Sequence, residues 1–158
     1  SKMNRPASAA SAFSNVTSNP GVKQFTDKRF IGSHINEGIA LFMTAESIEG
    51  EPQVAVAHYR KAIDVLTDVS SQLRFVPKDQ YQQAVHNVDF HKALSQHKVW
   101  NHTKNPQALN RTLRAWKSYL DRNIDSKNSG ETAKNYIENA KVYYRQAKAS
   151  IGSNTKSR

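Results

Sequence analysis

Between Ala55 and Leu73 the apolar residues Ala55, Tyr59, Ala62, Ile63, Leu66, Val69 and Leu73 recur every three or four positions. Only a helix of about 3.6 residues per turn gathers that spacing onto one face. The same period runs through most of the chain after residue 32. A first helix is expected over about Ser33 to Ile48, with Ser33 as N-cap and Ile35, Ile39, Phe42 and Met43 on its inner face. Gly50-Glu51-Pro52 breaks it, and Pro52 suits the first position of the second helix, which Phe75-Val76-Pro77 ends. A third segment, about Lys78 to Val99, has two stripes, Tyr81/Val85/Val88 and Phe90/Leu94, so it is expected to kink or to be buried on two sides. Asn105-Pro106 is a cap followed by an N1 proline, opening a fourth helix to about Asn123 with Leu109, Leu113, Trp116 and Leu120 inward. A fifth, about Glu131 to Ile151, turns Ala133, Ile137, Ala140, Tyr144, Ala147 and Ile151 inward. No stretch alternates at period two long enough for a strand. The expected fold is an all-α antiparallel bundle of about five helices over 32–151, with an irregular basic arm at 1–31 and a polar tail at 152–158.

The arm is rich in Ser, Ala, Asn, Thr and Pro, with isolated aromatics at Phe13, Phe25 and Phe30. Such a stretch buries too little apolar area to offset its own ordering entropy.

Charge narrows the partner. The 158 residues hold 23 Lys plus Arg against 13 Asp plus Glu, a net of +10. Residues 1–30 carry five basic residues and one acid, 31–75 reverse the sign with three against six, and 76–158 hold fifteen against six. Such an excess predicts association with polyanions and a strong dependence on salt. There are no cysteines, which excludes disulfides, thiolate metal sites and cysteine nucleophiles. No apolar run has the length of a membrane span and no charged-then-apolar leader is present, so the expected location is intracellular or within a virion, not secreted. The Asn-x-Ser/Thr triplets at Asn15, Asn101 and Asn110 are then chance matches.

Signatures of catalysis are missing: no Gly-rich phosphate loop, no Gly-x-Ser-x-Gly and no His-Glu-x-x-His. The six histidines, His34, His58, His86, His91, His97 and His102, are not spaced to share a metal, the nearest candidate pair being His86 with Asp89. Neither enzyme activity, metal nor cofactor is expected.

The basic stripes carry more. Lys134, Lys141, Arg145 and Lys148 fall on one face of the fifth helix, interrupted by Glu138 and beside the row Tyr136, Tyr143 and Tyr144. Arg111, Arg114 and Lys117 step by three along the fourth, next to Trp116 and Tyr119, with Trp116 itself on the apolar stripe. Lysines and arginines neutralise phosphates, and neighbouring aromatics stack on bases. With Lys2, Arg5, Lys23, Lys28 and Arg29 of the arm, these residues form the expected nucleic-acid-binding set, DNA or RNA, on a protein that also associates with copies of itself.

The run Gly50-Glu-Pro-Gln-Val-Ala55-Val-Ala-His-Tyr59-Arg-Lys-Ala62-Ile63-Asp-Val-Leu66 resembles the second helix of a microtubule-interacting-and-trafficking domain or of a tetratricopeptide hairpin. Leu113-Arg114-Ala-Trp-Lys-Ser-Tyr119-Leu-Asp-Arg122 is similar to the third helix of the former, some thirty residues late. The resemblance implies a protein–protein adaptor holding a partner helix or tail in a groove lined around Ile39, Phe42, Ala55, Tyr59, Ala62 and Leu66. A second likeness, architectural only, is to small helical coat or nucleoprotein subunits, in which a basic arm and one bundle face wrap nucleic acid. A third reading sets the same lysines against an anionic membrane surface.

Overall fold

The computed structural model describes residues 28–122 and 130–156, side chains being placed for 30–122 and 130–151. The expected all-α bundle is what is found, with no strand among the described residues. Helix α1 spans Lys28–Ser47 and α2 spans Pro52–Ser70, followed by a short 3₁₀ turn at Leu73–Phe75. Helices α3 (Lys78–Val85) and α4 (His91–Thr103) form one continuous rod, joined by a π-helical turn at His86–Phe90. Helix α5 spans Pro106–Arg122 and α6 spans Glu131–Lys156.

The rod is the centre of the molecule. The α1–α2 hairpin packs on one flank of it, and the α5–α6 pair on the other. The two stripes expected in the third segment find their explanation at the π turn. One extra residue per turn shifts the phase of the helix there, so successive turns bury different faces. Val85 and Val88 enter a cluster with Ile31, Ile35, Leu66, Val69 and Leu73, whereas Phe90 and Leu94 enter the main core with Phe42, Tyr59, Trp100, Leu109 and Trp116.

Several boundaries differ from expectation. Helix α1 begins at Lys28, so Ser33 lies inside it, and Ile31 is a core residue two positions before the expected start. Ile31 keeps the three- and four-residue rhythm with Ile35, and its burial stabilises a turn that the polar composition of the arm disguises. The rod continues to Thr103 and closes on Lys104, whose left-handed backbone (φ 54°) lets its N–H donate to the Trp100 carbonyl at 2.7 Å. Its ammonium returns over the Trp100 ring, 4.8 Å from the centroid. Helix α6 runs past Ile151 to Lys156. Pro52 and Pro106 open their helices as expected, and the Asn105 side-chain oxygen accepts the Gln107 N–H at 2.8 Å.

Small residues set how closely α1 and α2 approach. A Cβ on Gly38 would lie 2.7 Å from Leu66 Cγ and 2.5 Å from its Cδ2, and Leu66 is fully buried. Gly32, on the same helix, has nothing within 4 Å of such an atom. Alanine is the better helix former by about 1 kcal/mol, so Gly32→Ala should stabilise by up to that amount. Gly38→Ala should instead destabilise by about 1–3 kcal/mol, because overpacking outweighs propensity. Paired urea denaturation curves check the opposite signs; a stabilising Gly38→Ala would refute the close packing.

Candidate nucleic-acid interface

The α5 stripe does not run straight. At 100° per residue, steps of three drift by about 60°, so Arg111, Arg114 and Lys117 wind across the exposed face of α5. Arg111 comes out beside α2 and α4, in a polar cleft of about 240 Å³ shared with Arg60, Asp64 and Gln96. Lys117 comes out on the other side, near Tyr144 of α6. Arg114 is exposed between them.

On α6 the tyrosines part company. Tyr136 and Tyr143 turn inward: Tyr136 packs on His86, Phe90 and His91, and Tyr143 stacks on Trp116 and against His97. The expected row of three tyrosines beside the basic face is therefore reduced to Tyr144. Lys148 lies over the Tyr144 ring, 4.5 Å from its centroid. Tyr144 thus carries a lysine of α6 on its ring and lies within electrostatic reach of Lys117 of α5, the helix packed beside it. Lys134, Lys141, Arg145 and Lys148, all exposed, line the α6 bank of the seam between these two helices. They occupy adjacent angular positions because their spacings of seven, four and three return to one side of a helix.

Carboxylates interrupt the face at two points. Lys117 Nζ bonds Asp121 at 2.9 Å, which raises its pKa, and Lys141 Nζ meets Glu138 at 3.3 Å. Both pairs are exposed and screened by solvent, so a phosphate can compete for either lysine. Arg114, Lys134, Arg145 and Lys148 have no carboxylate of the described residues within ion-pair distance. Lys134, Arg145 and Lys148, together with the loosely paired Lys141, outnumber Glu138 on that face and give a local potential that the net charge alone does not.

The remaining expected residues fall elsewhere. Arg111 is separated from the seam by the width of α5, and Asp64 in its cleft opposes an anion there. Lys28 and Arg29 lie on the first turn of α1, the helix that packs on α2 and the rod, with their side chains outside the described set; Lys2, Arg5 and Lys23 lie outside the described residues altogether.

The groove expected around Ile39, Phe42, Ala55, Tyr59, Ala62 and Leu66 is filled by the chain itself. Ala55, Tyr59, Ala62 and Leu66 have no exposed surface, Phe42 is buried and Ile39 half-buried. The small residues do let helices approach closely, but the rod occupies the resulting furrow. Tyr59 Oη, at the mouth of that furrow, donates to Glu49 Oε1 at 2.7 Å; burial and the facing carboxylate push the phenol pKa far up. Lys98 of the rod meets the same Glu49 at 3.2 Å and Glu46 at 3.6 Å, tying the α1–α2 turn to α4.

The six histidines serve packing. His97 Nδ1 accepts from Trp116 Nε1 at 3.1 Å, His86 Nδ1 lies 2.7 Å from the Tyr119 hydroxyl, and His91 Nδ1 donates to the Asn87 carbonyl at 2.7 Å. His58 bonds the Val54 carbonyl, His34 faces Asp68, and His102 faces Glu49. Asp89, the expected partner of His86, instead accepts from Arg122 at 2.8 Å and Ser70 at 3.2 Å, joining three elements. Among the described residues no group of three His, Cys, Asp or Glu is placed to hold a metal, and no helix is long and apolar enough to cross a membrane.

Sequence spacing alone could have flagged Tyr144 as different from Tyr136 and Tyr143, since it lies on the Ile137 side of α6, toward the lysines. No family model, no curated protein and no solved structure matches this chain.

Proposed function

We propose that this protein is a non-enzymatic nucleic-acid-binding protein that engages phosphates along the α5–α6 seam. One observation carries the reading: Lys134, Lys141, Arg145 and Lys148 share one exposed face of α6, with Lys148 over Tyr144 and Lys117 of α5 within electrostatic reach of the same residue. Arg114, Lys117, Lys134, Lys141, Arg145 and Lys148 hold the backbone, and Tyr144 offers a sugar- or base-stacking surface. Contacts to the phosphate backbone carry no base information, so binding through them is sequence-tolerant. The basic arm and association between copies extend this surface in the coat-like form of the proposal.

The test is a salt series. Binding to random duplex and random single strands should weaken linearly in log–log form, with a slope near −5 on duplex if all six cations are engaged. Absence of binding at low salt, or a slope near zero, refutes it. Anionic vesicles in the same buffers form a second arm: capture by vesicles without capture by nucleic acid overturns the proposal in favour of a membrane surface.

A further inference from the structure

Helix α6 is held to the bundle in an unusual way. Its buried aliphatic contacts are short, Ile137, Ala140 and Ala147, and its large inward side chains are Tyr136 and Tyr143. Each of those rings meets a Phe or Trp ring and at least one histidine, Tyr136 lying 4.7 Å from Phe90. Tyr136 lies parallel to His86 (10° between planes, centroids 5.9 Å apart) and edge-on to His91 at 6.1 Å. Tyr143 meets His97 at 5.0 Å and stacks on Trp116, which itself donates to His97. We propose that α6 is an acid-releasable helix: protonation of His86, His91 and His97 undocks it while the α1–α2 hairpin and the rod remain folded together.

The geometry gives the sign. His97 Nδ1 must be unprotonated to accept from Trp116, so a proton there removes the bond and leaves a buried cation beside an indole N–H. The groups facing these rings offer little compensation. Lys98 and Lys104 oppose a charge on His97. Asp89 favours one on His86 but is held by Arg122 of α5 and Ser70 of α2. From α5 Tyr119 and from α6 Tyr136 and Tyr143 present neutral phenols, and α1 presents Phe42 to His91. Burial accordingly lowers the pKa of all three histidines, that of His97 to about 4. A histidine depressed in the docked state stabilises docking fully above its ordinary value of 6.5, and the stabilisation is lost as pH falls toward 4. In the α1–α2 hairpin the half-buried His34 faces Asp68 at 3.7 Å and the half-buried His58 bonds the Val54 carbonyl, so neither lies in the contact with α6.

Hydrogen exchange of the intact chain between about pH 7.5 and 4.5, corrected for intrinsic rates, tests this. If undocking returns His97 to its ordinary pKa, protection of residues 136–151 should fall by roughly tenfold at about pH 5.5 and by up to roughly 80-fold at about pH 4.5. Protection of α2 should hold over the same range. Undiminished protection of α6 at the lowest pH overturns the proposal, as does loss of protection in α2 with the same midpoint. His97→Gln, which keeps an acceptor for Trp116 without a proton in this range, should flatten the α6 profile; an unchanged profile in a folded variant overturns the role of His97. Should that variant not fold, the contrast between α6 and α2 in the unaltered protein still decides.

Discussion

Trp116→Ala should lower the unfolding free energy by about 4 kcal/mol, the upper part of the range for a buried aromatic cut to alanine. Trp116 has no exposed surface, lies parallel to Tyr143 (6° between planes, 5.4 Å), and meets Phe90 at 5.5 Å and Tyr119 at 6.4 Å. It therefore joins the rod, α5 and α6 at one point. Truncation also leaves His97 Nδ1 without its donor in a buried position, which adds to the cavity term. Trp116→Phe separates the two: most of the ring packing survives and the indole N–H is lost, so a smaller loss of about 1–3 kcal/mol is expected. Domains of this kind are stable by about 5–15 kcal/mol, so the alanine variant should show a clearly lower urea midpoint by far-UV circular dichroism. Equal losses in the two variants would mean that the hydrogen bond, and not the packing, dominates.

The triple variant Lys141→Glu, Arg145→Glu, Lys148→Glu should bind nucleic acid at least about a hundredfold more weakly near 0.1 M salt, with a salt slope shallower by about 3. Each phosphate contact at that ionic strength contributes close to one log unit through counterion release, and the reversed charges repel the backbone besides. All three side chains are exposed on the α6 bank of the seam, so the fold should tolerate the change. The decisive control is Lys61→Glu, Arg74→Glu, Lys78→Glu, three exposed cations outside the α5–α6 pair. It alters the net charge equally. If the seam binds, the control should lose only a few-fold; equal losses would show that overall charge, not a gathered surface, governs binding.

The helical periods were legible because a buried stripe repeats at the helix period whatever it packs against. Ala55 to Leu73, Leu109 to Trp116 and the Asn105-Pro106 start were readable for that reason. Phe90 and Leu94 announced a change of face without revealing that a π turn makes it. Ile31 continues the Ile35 stripe one step back, but the polar arm before it hides that step, and its burial is decided by Leu66, Val69 and Val88 around it. The residues expected to line a partner's groove are buried or half-buried within the chain, because the same small and aromatic residues that open a furrow for a partner's helix serve equally for a helix of the same chain.

Composition and spacing by themselves thus determined the helical class, the buried stripes, the excess of positive charge and the cations that carry it. The tertiary structure alone decided which of those cations meet. Arg111 and Lys117 are both cationic and both exposed, but one shares a cleft with Arg60 and Asp64 and the other pairs with Asp121 on the side toward α6. A periodicity gives an angle about a helix axis; what lies at that angle depends on where the next helix docks, and that is settled by packing between residues far apart in the chain. The histidines follow the same rule, since burial among side chains of other helices, Trp116, Tyr119, Tyr136 and Tyr143, lowers the pKa of His86, His91 and His97.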